Sequence, residues 1–187
     1  MNEKNIELPK DLATALLPGE TVLWTGSPEE FSLKNDTPAV KHWLLCTAIF
    51  AAATLLCALA EKLAGTAFNV LWQLILTVVW AFYMIRPLMD RKKVKNSVYA
   101  VTDQRVIVLP GGENRIFGLN RKGLRIKIAD GKPECVDALL GSCVNIPDKD
   151  HYRRAYFPLG MNTNAGPHGL VFFNVKDNSG LRSVLAD

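Results

Sequence analysis

Two long apolar runs, separated by six residues, constrain the fold of this chain more than any other feature. The first, HWLLCTAIFAAATLLCALA, covers residues 42–60, and the second, AFNVLWQLILTVVWAFYMI, covers residues 67–85. Each run has 19 residues, which is about 28 Å of α-helix and long enough for a hydrocarbon core of about 30 Å. Apart from cysteine and tyrosine, His42 at the edge of the first run is the only ionisable side chain in either run, so neither has the charged face that a helix of a small soluble domain would present to water. The pattern therefore predicts a transmembrane helical hairpin.

The charges around the hairpin predict its orientation. Residues 86–95 carry five Lys/Arg against one Asp, whereas residues 1–42 carry four Lys/Arg against seven Asp/Glu. Basic residues next to a transmembrane helix favour the cytoplasmic side of the membrane. With two crossings, we expect both termini on the cytoplasmic side and only the linker EKLAGT on the far side.

Strand periodicity follows the hairpin and predicts a small domain over residues 97–187. SVYAVTDQRVIVL is rich in β-branched residues, GLRIKI alternates apolar and basic side chains, and GLVFFNV predicts a later strand. NSGLRSVL predicts a short C-terminal helix. Residues 129–168 stay unassigned, because Cys135 to Ile146 fits one or two strands or a helical turn. The expected fold class is an α+β membrane protein, with a hairpin over 42–85, a basic juxtamembrane linker over 86–96 and a β-sandwich or barrel.

Three segments of the chain resemble small bacterial membrane proteins that carry a pleckstrin-homology-like (PH-like) domain. In order, they are LLPGETVLWTGSP at 16–28, YAVTDQRVIVL at 99–109 and GLVFFNV at 169–175. The most specific positions are Tyr99, Thr102, Asp103 and Arg105. The resemblance implies a cytoplasmic PH-like β-sandwich with a short C-terminal helix, in a multi-pass protein of the bacterial inner membrane. It also implies that a strand near residues 20–25, within the N-terminal segment 1–41, packs on that domain.

Basic residues are the candidate contacts for anionic lipid or for a protein partner. They are Arg86, Arg91, Lys92, Lys93, Lys95, Arg105, Arg121, Lys122, Arg125 and Lys127. The first five also have a purely topological explanation, since a cytoplasmic helix end commonly carries such a flank. The candidate helix–helix contacts are the small residues Ala48 and Ala52 and the polar residues Asn69, Gln73 and Thr77. Asn69, Gln73 and Thr77 share one face of the second helix, which favours helix association over a pore lining.

The candidate motifs for catalysis and for metal binding each lack residues that the motif requires. GLNRKGLR has the glycine interval of a phosphate-binding loop, but Leu124 and Arg125 stand where lysine and a hydroxyl residue are required. Cys135, Cys143 and His151 are evenly spaced, but they lack the short paired spacing and the fourth ligand of a zinc site. We expect no catalytic residue, no metal, no cofactor and no nucleic-acid binding.

Three functions remain open from the sequence. The leading hypothesis is a non-enzymatic, membrane-anchored PH-like module that recruits a membrane or cytoplasmic protein, or that assembles with itself. The alternative is a module that binds anionic membrane lipids through its basic groups. The third is a small oligomeric channel or membrane effector formed by the hairpin.

Overall fold

The computed structural model describes residues 10–32, 37–65, 70–112, 115–130, 134–160 and 166–186. The chain divides into two compact units, Ser32–Arg91 and a second unit formed by Met1–Phe31 with Lys92–Asp187. The second unit is discontinuous in sequence, because the first unit is inserted within it.

The first unit contains two long helices, α2 and α3. Helix α2 is Thr37–Ala64 and α3 is Val70–Lys95. Both are long and apolar enough to cross a membrane. They extend beyond the apolar runs at 42–60 and 67–85, because hydropathy marks the part of a helix that suits lipid, whereas Arg and Lys are themselves good helix formers. The basic segment 86–95 is therefore the end of α3 rather than a separate linker.

A row of partly buried side chains joins α2 to α3. Phe50 and Trp80 lie with ring centroids 5.2 Å apart, and the Trp43 indole N–H donates to the Met84 carbonyl at 3.1 Å. Trp43 and Phe50 are seven positions apart on α2, and Trp80 and Met84 are four apart on α3, so each pair lies on one face of its helix. The contact is mainly apolar and aromatic.

Two antiparallel sheets form the core of the second unit. Their strands are β1 (Val22–Gly26), β2 (Val98–Thr102), β3 (Arg105–Leu109), β4 (Phe117–Asn120), β5 (Ile126–Asp130), β6 (Cys135–Gly141) and β7 (Gly169–Lys176). One sheet has the order β1-β2-β3-β4 and the other β5-β6-β7. Strand β1 pairs with β2, with Gly26 opposite Tyr99 and Val22 opposite Thr102. The helical hairpin is thus inserted in the connection between two neighbouring strands.

Aromatic stacking fills the space between the two sheets. Tyr99 and Phe172 are fully buried and stack at 4.7 Å, and the ring of Trp24 also stacks on Phe172 at 6.0 Å. Such pairs contribute about 0.5–1.5 kcal/mol each beyond the apolar area that they bury. The Trp24 indole also donates to the Ser179 carbonyl at 2.8 Å. A residue that precedes the hairpin is therefore central to the core.

Short helices complete the unit. Helix α1 (Lys10–Ala15) packs on the outer face of the β1–β4 sheet, where Leu12 contacts the cluster of Ala100 and Ile107. Helix α4 (His151–Tyr156) covers the outer face of β7, and α5 (Leu181–Ala186) closes the sandwich. The coarse α+β prediction is confirmed: two long apolar helices accompany two antiparallel sheets and a short C-terminal helix.

Candidate binding surfaces

The predicted helix–helix residues have different surroundings in the structure. Gln73 lies on the face of α3 that contacts α2, where its side-chain amide meets the Thr54 hydroxyl at 3.4 Å. Thr77 is exposed, and its hydroxyl donates to the Gln73 carbonyl of its own helix at 2.8 Å. Asn69 lies outside the described residues.

The small residues of α2 lie away from α3. Ala48 and Ala52 are both exposed and sit about 200° around the helix from Phe50, at about 100° per residue. Phe50 belongs to the contact with α3. Ala48 and Ala52 therefore lie away from the α2–α3 contact that the described residues make.

The basic end of α3 is partly paired at its surface. The Arg86 guanidinium lies 4.0 Å from the Asp90 carboxylate, and the Lys95 ammonium lies 2.8 Å from the Glu30 carboxylate. Exposed pairs of this kind contribute only about 0–1 kcal/mol. Arg91, Lys92 and Lys93 share this end of the helix, so residues 86–95 carry five basic residues against one Asp.

Arg105 is engaged inside the chain. Its Nε donates to Glu20 Oε1 at 2.8 Å, and its Nη2 donates to Glu20 Oε2 at 2.9 Å and to the Ala15 carbonyl at 2.7 Å. The Glu20 side chain is fully buried. The fork of hydrogen bonds from Arg105 holds the pKa of Glu20 down at about 2. The charge of Arg105 is thus compensated by a carboxylate of the same chain, and we call this pair the N-terminal clasp.

The turn between β2 and β3 joins the same clasp. The Thr102 hydroxyl donates to Glu20 Oε1 at 2.7 Å and accepts the backbone N–H of Arg105 at 2.9 Å. The sequence suggests that Asp103 hydrogen-bonds a nearby backbone amide. Its Oδ1 instead accepts the N–H of Thr21 at 2.9 Å, from the segment before the hairpin. The Thr-Asp-x-Arg pattern therefore ties β1 to the β2–β3 turn.

Arg121 braces the connection between β4 and β5. Its Nη1 donates to the Thr102 carbonyl at 3.3 Å, and its Nη2 donates to the Val184 carbonyl, in the last turn of α5, at 2.6 Å. The next residue, Lys122, is exposed, as are Arg125 and Lys127. Of these four candidate residues, Arg121 is partly buried and structural, and the other three have exposed side chains.

An open groove lies at the end of the strands where Arg121 and Lys122 are found. It has a volume of about 660 Å³ and is lined by Leu23, Asp103, Arg121, Lys122, Gly123 and Val184. We call it the strand-end groove. Leu23 is 41% exposed, which is high for a leucine on a strand, so one wall of the groove is apolar and another is cationic.

A buried polar cluster around Asp137 and His151 was not predicted from the sequence. His151 Nδ1 lies 2.8 Å from Asp137 Oδ2, and Asp137 Oδ1 accepts the backbone N–H of Asn174 at 2.7 Å. The Asn174 side chain donates to the Glu29 carbonyl at 2.9 Å. The cluster joins β6, α4 and β7 to the segment that follows β1. His151 was visible in the sequence only as a spaced neighbour of two cysteines.

The cysteines are all free thiols. Cys143 is buried, and desolvation raises its pKa, whereas the other three are partly exposed. Across the described residues, no group of three or more His, Cys, Asp or Glu side chains is arranged to hold a metal ion.

Comparisons with known proteins add no family assignment. No protein-family model, no curated protein and no solved structure matches this chain.

Proposed function

We propose that this protein is a membrane-anchored adaptor. In this proposal the α2–α3 hairpin crosses the bacterial inner membrane twice, and the second unit is a PH-like β-sandwich on the cytoplasmic side that recruits a protein partner. The order of four strands, three strands and a closing helix suits a PH-like sandwich.

One observation carries the proposal: β1 precedes the hairpin, β2 follows it, and the two strands pair. The chain must leave β1 and return to β2 on the same side of any membrane that the hairpin crosses. Two crossings satisfy this requirement, whereas one crossing does not. The basic end of α3 then favours the cytoplasmic side for the sandwich.

The arrangement of polar groups favours binding over chemistry. The two most elaborate polar clusters, Glu20 with Arg105 and Asp137 with His151, join distant segments of the fold through buried hydrogen bonds. Most hydrogen-bond donors and acceptors of these two clusters bind other groups of the same chain. This supports a non-catalytic role.

The position of the exposed basic groups favours a protein partner over lipid. Lys122 and Asp103 lie beside the strand-end groove, at the Thr102 end of β2. Helix α3 leads into β2 at the other end, at Val98, and the strand between them is about 13 Å long at about 3.3 Å per residue. The groove therefore opens at the end of the strand pair opposite the connections to the hairpin.

Anionic lipid remains the second candidate, because five basic residues end α3 and each contributes about 1 kcal/mol near an anionic surface. The channel hypothesis has weaker support. Gln73 is directed at Thr54 of the neighbouring helix, which suits helix association.

Cysteine labelling from outside the membrane tests the anchor. In a background with the four natural cysteines replaced by alanine, single cysteines are introduced at Lys62 and at Lys122. An impermeant maleimide added to intact cells should label only the first, and lysis should expose the second. Labelling of position 122 in intact cells would reject the proposed topology.

Purification of the tagged full-length protein from native membranes tests the adaptor role. We expect a stoichiometric protein partner in the eluate, identified by mass spectrometry. Repeated recovery of this chain alone, as a monomer, would reject recruitment. Enrichment of anionic lipid without a protein would favour the second candidate.

A further inference from the structure

We infer that the strand-end groove binds an acidic segment of the partner that carries an aliphatic side chain. This inference rests on the proposed adaptor function and specifies its contact site.

The shape of the groove suits a short peptide. Its four walls come from β1, from the β2–β3 turn, from the β4–β5 connection and from α5. The groove has a volume of about 660 Å³, which is within the usual range of about 300–1,000 Å³ for ligand sites. Because the groove is open to solvent, a short peptide segment of the partner can enter it.

Hydrogen bonds within the chain hold the walls of the groove in position before a ligand binds. Arg121 spans it, with its guanidinium on the carbonyls of Thr102 and Val184, and its backbone N–H donates to the Gln104 carbonyl at 2.8 Å. The Asn120 side chain accepts the N–H of Lys122 at 3.0 Å and fixes the turn. A site of this kind loses little conformational entropy when it binds.

The charge of the groove favours an acidic ligand. The acceptors of Arg121 are neutral carbonyls, so its positive charge is not cancelled by a carboxylate in these contacts. Lys122 is exposed and adds a second positive charge. The groove has one acidic lining residue, Asp103, whose carboxylate accepts the neutral N–H of Thr21, so Arg121, Lys122 and Asp103 together leave one net positive charge on the lining.

The apolar wall sets the second requirement. Leu23 and Val184 lie together on the lining of the groove. Leu23 is 41% exposed, so an aliphatic side chain of the ligand could cover it. A bare phosphate or a headgroup would satisfy the basic residues but would leave this wall in water.

The test compares two charge reversals in the full-length protein. Lys122→Glu changes the groove, and Lys127→Glu is the matched control, because Lys127 is also exposed but lies on β5 outside the lining. Each variant is purified from native membranes beside the wild type. We expect recovery of the partner to fall at least tenfold with K122E and to stay within twofold with K127E.

A photo-crosslinking amino acid at position 23 then identifies what occupies the groove. We expect the crosslinked peptide of the partner to carry a net negative charge and an aliphatic residue at or beside the point of attachment. A basic or neutral crosslinked segment, or a crosslink to lipid alone, would overturn the inference.

The outcomes separate this inference from the adaptor proposal. If the wild type recovers no partner, the adaptor proposal fails and the inference fails with it. If a partner is recovered equally by the wild type and both variants, the adaptor proposal stands and the groove is not the contact site. If both variants lose the partner equally, general electrostatic attraction replaces a specific site.

Discussion

The N-terminal clasp gives the sharpest prediction on stability, through the substitution Glu20→Gln. The Glu20 carboxylate accepts hydrogen bonds from Arg105, from Thr102 and from the N–H of Leu17 at 2.8 Å. The fall of its pKa from 4.5 to about 2 corresponds to at most about 3.4 kcal/mol at about 1.36 kcal/mol per unit. Because Arg105 is 20% exposed and solvent screens the pair, we expect a loss of about 2–3 kcal/mol.

Pulse proteolysis in urea measures this loss on the full-length protein in detergent. With a slope of about 2 kcal/mol per molar urea, the midpoint should fall by roughly 1–1.5 M. Glu29→Gln is the control, because the Glu29 side chain is exposed and only its backbone takes part in the hydrogen bonds to Asn174. A midpoint for E20Q within about 0.2 M of the wild type would refute the assigned energetics.

The pH dependence provides a second check on the same pair. The pKa of Glu20 is lowered in the folded state, so its stabilisation is fully present above about pH 4.5 and is lost as the pH falls towards 2. The difference in stability between the wild type and E20Q should therefore shrink from pH 5 to pH 2. A difference that stays constant across this window would mean that the carboxylate charge is not the source of the stability.

Three further predictions concern the sandwich. Gly26→Ala places a methyl group 2.5 Å from the Trp24 ring, so we expect a loss of about 1–3 kcal/mol in urea unfolding, and an unchanged midpoint would contradict this packing. Asp137→Asn should cost about 2–4 kcal/mol in the same assay because it breaks a buried pair, whereas Asp148→Asn should cost under about 0.5 kcal/mol because that side chain is 95% exposed. Replacing residues 32–91 by a short Gly/Ser linker should leave a soluble, folded sandwich, because those residues form the other unit. Cooperative unfolding of the variant would detect the folded sandwich, and aggregation would show that the sandwich depends on the hairpin.

Local patterns in the sequence predicted the elements of the fold, but not the contacts between distant segments. The apolar runs, the β-branched residues of β2 and the alternation in β5 locate helices and strands, because each pattern is set by neighbours in the chain. Glu20 and Arg105 are 85 residues apart, and no periodicity connects them. The pairing of Asp137 with His151 was missed for the same reason. Gly26, two residues after Trp24, was a sequence signal for close packing in β1, because a glycine within a strand often marks a site where another group approaches closely. In the structure that group is the Trp24 ring.

The long separation between β1 and β2 explains why so many bonds hold the N-terminal segment. Closing a flexible loop of this length costs about 4 kcal/mol in chain entropy by the logarithmic rule, which exceeds the 2–3 kcal/mol expected from Glu20. The clasp alone therefore cannot hold β1 if the insertion behaves as a flexible chain. Trp24 and the hydrogen bonds between Glu29 and Asn174 supply further contacts. A helical hairpin that returns to the same side of a membrane reduces the closure cost as well, because paired helices are not a flexible loop. On this argument the hairpin contributes to the stability of the sandwich even though no strand of the sandwich lies within it.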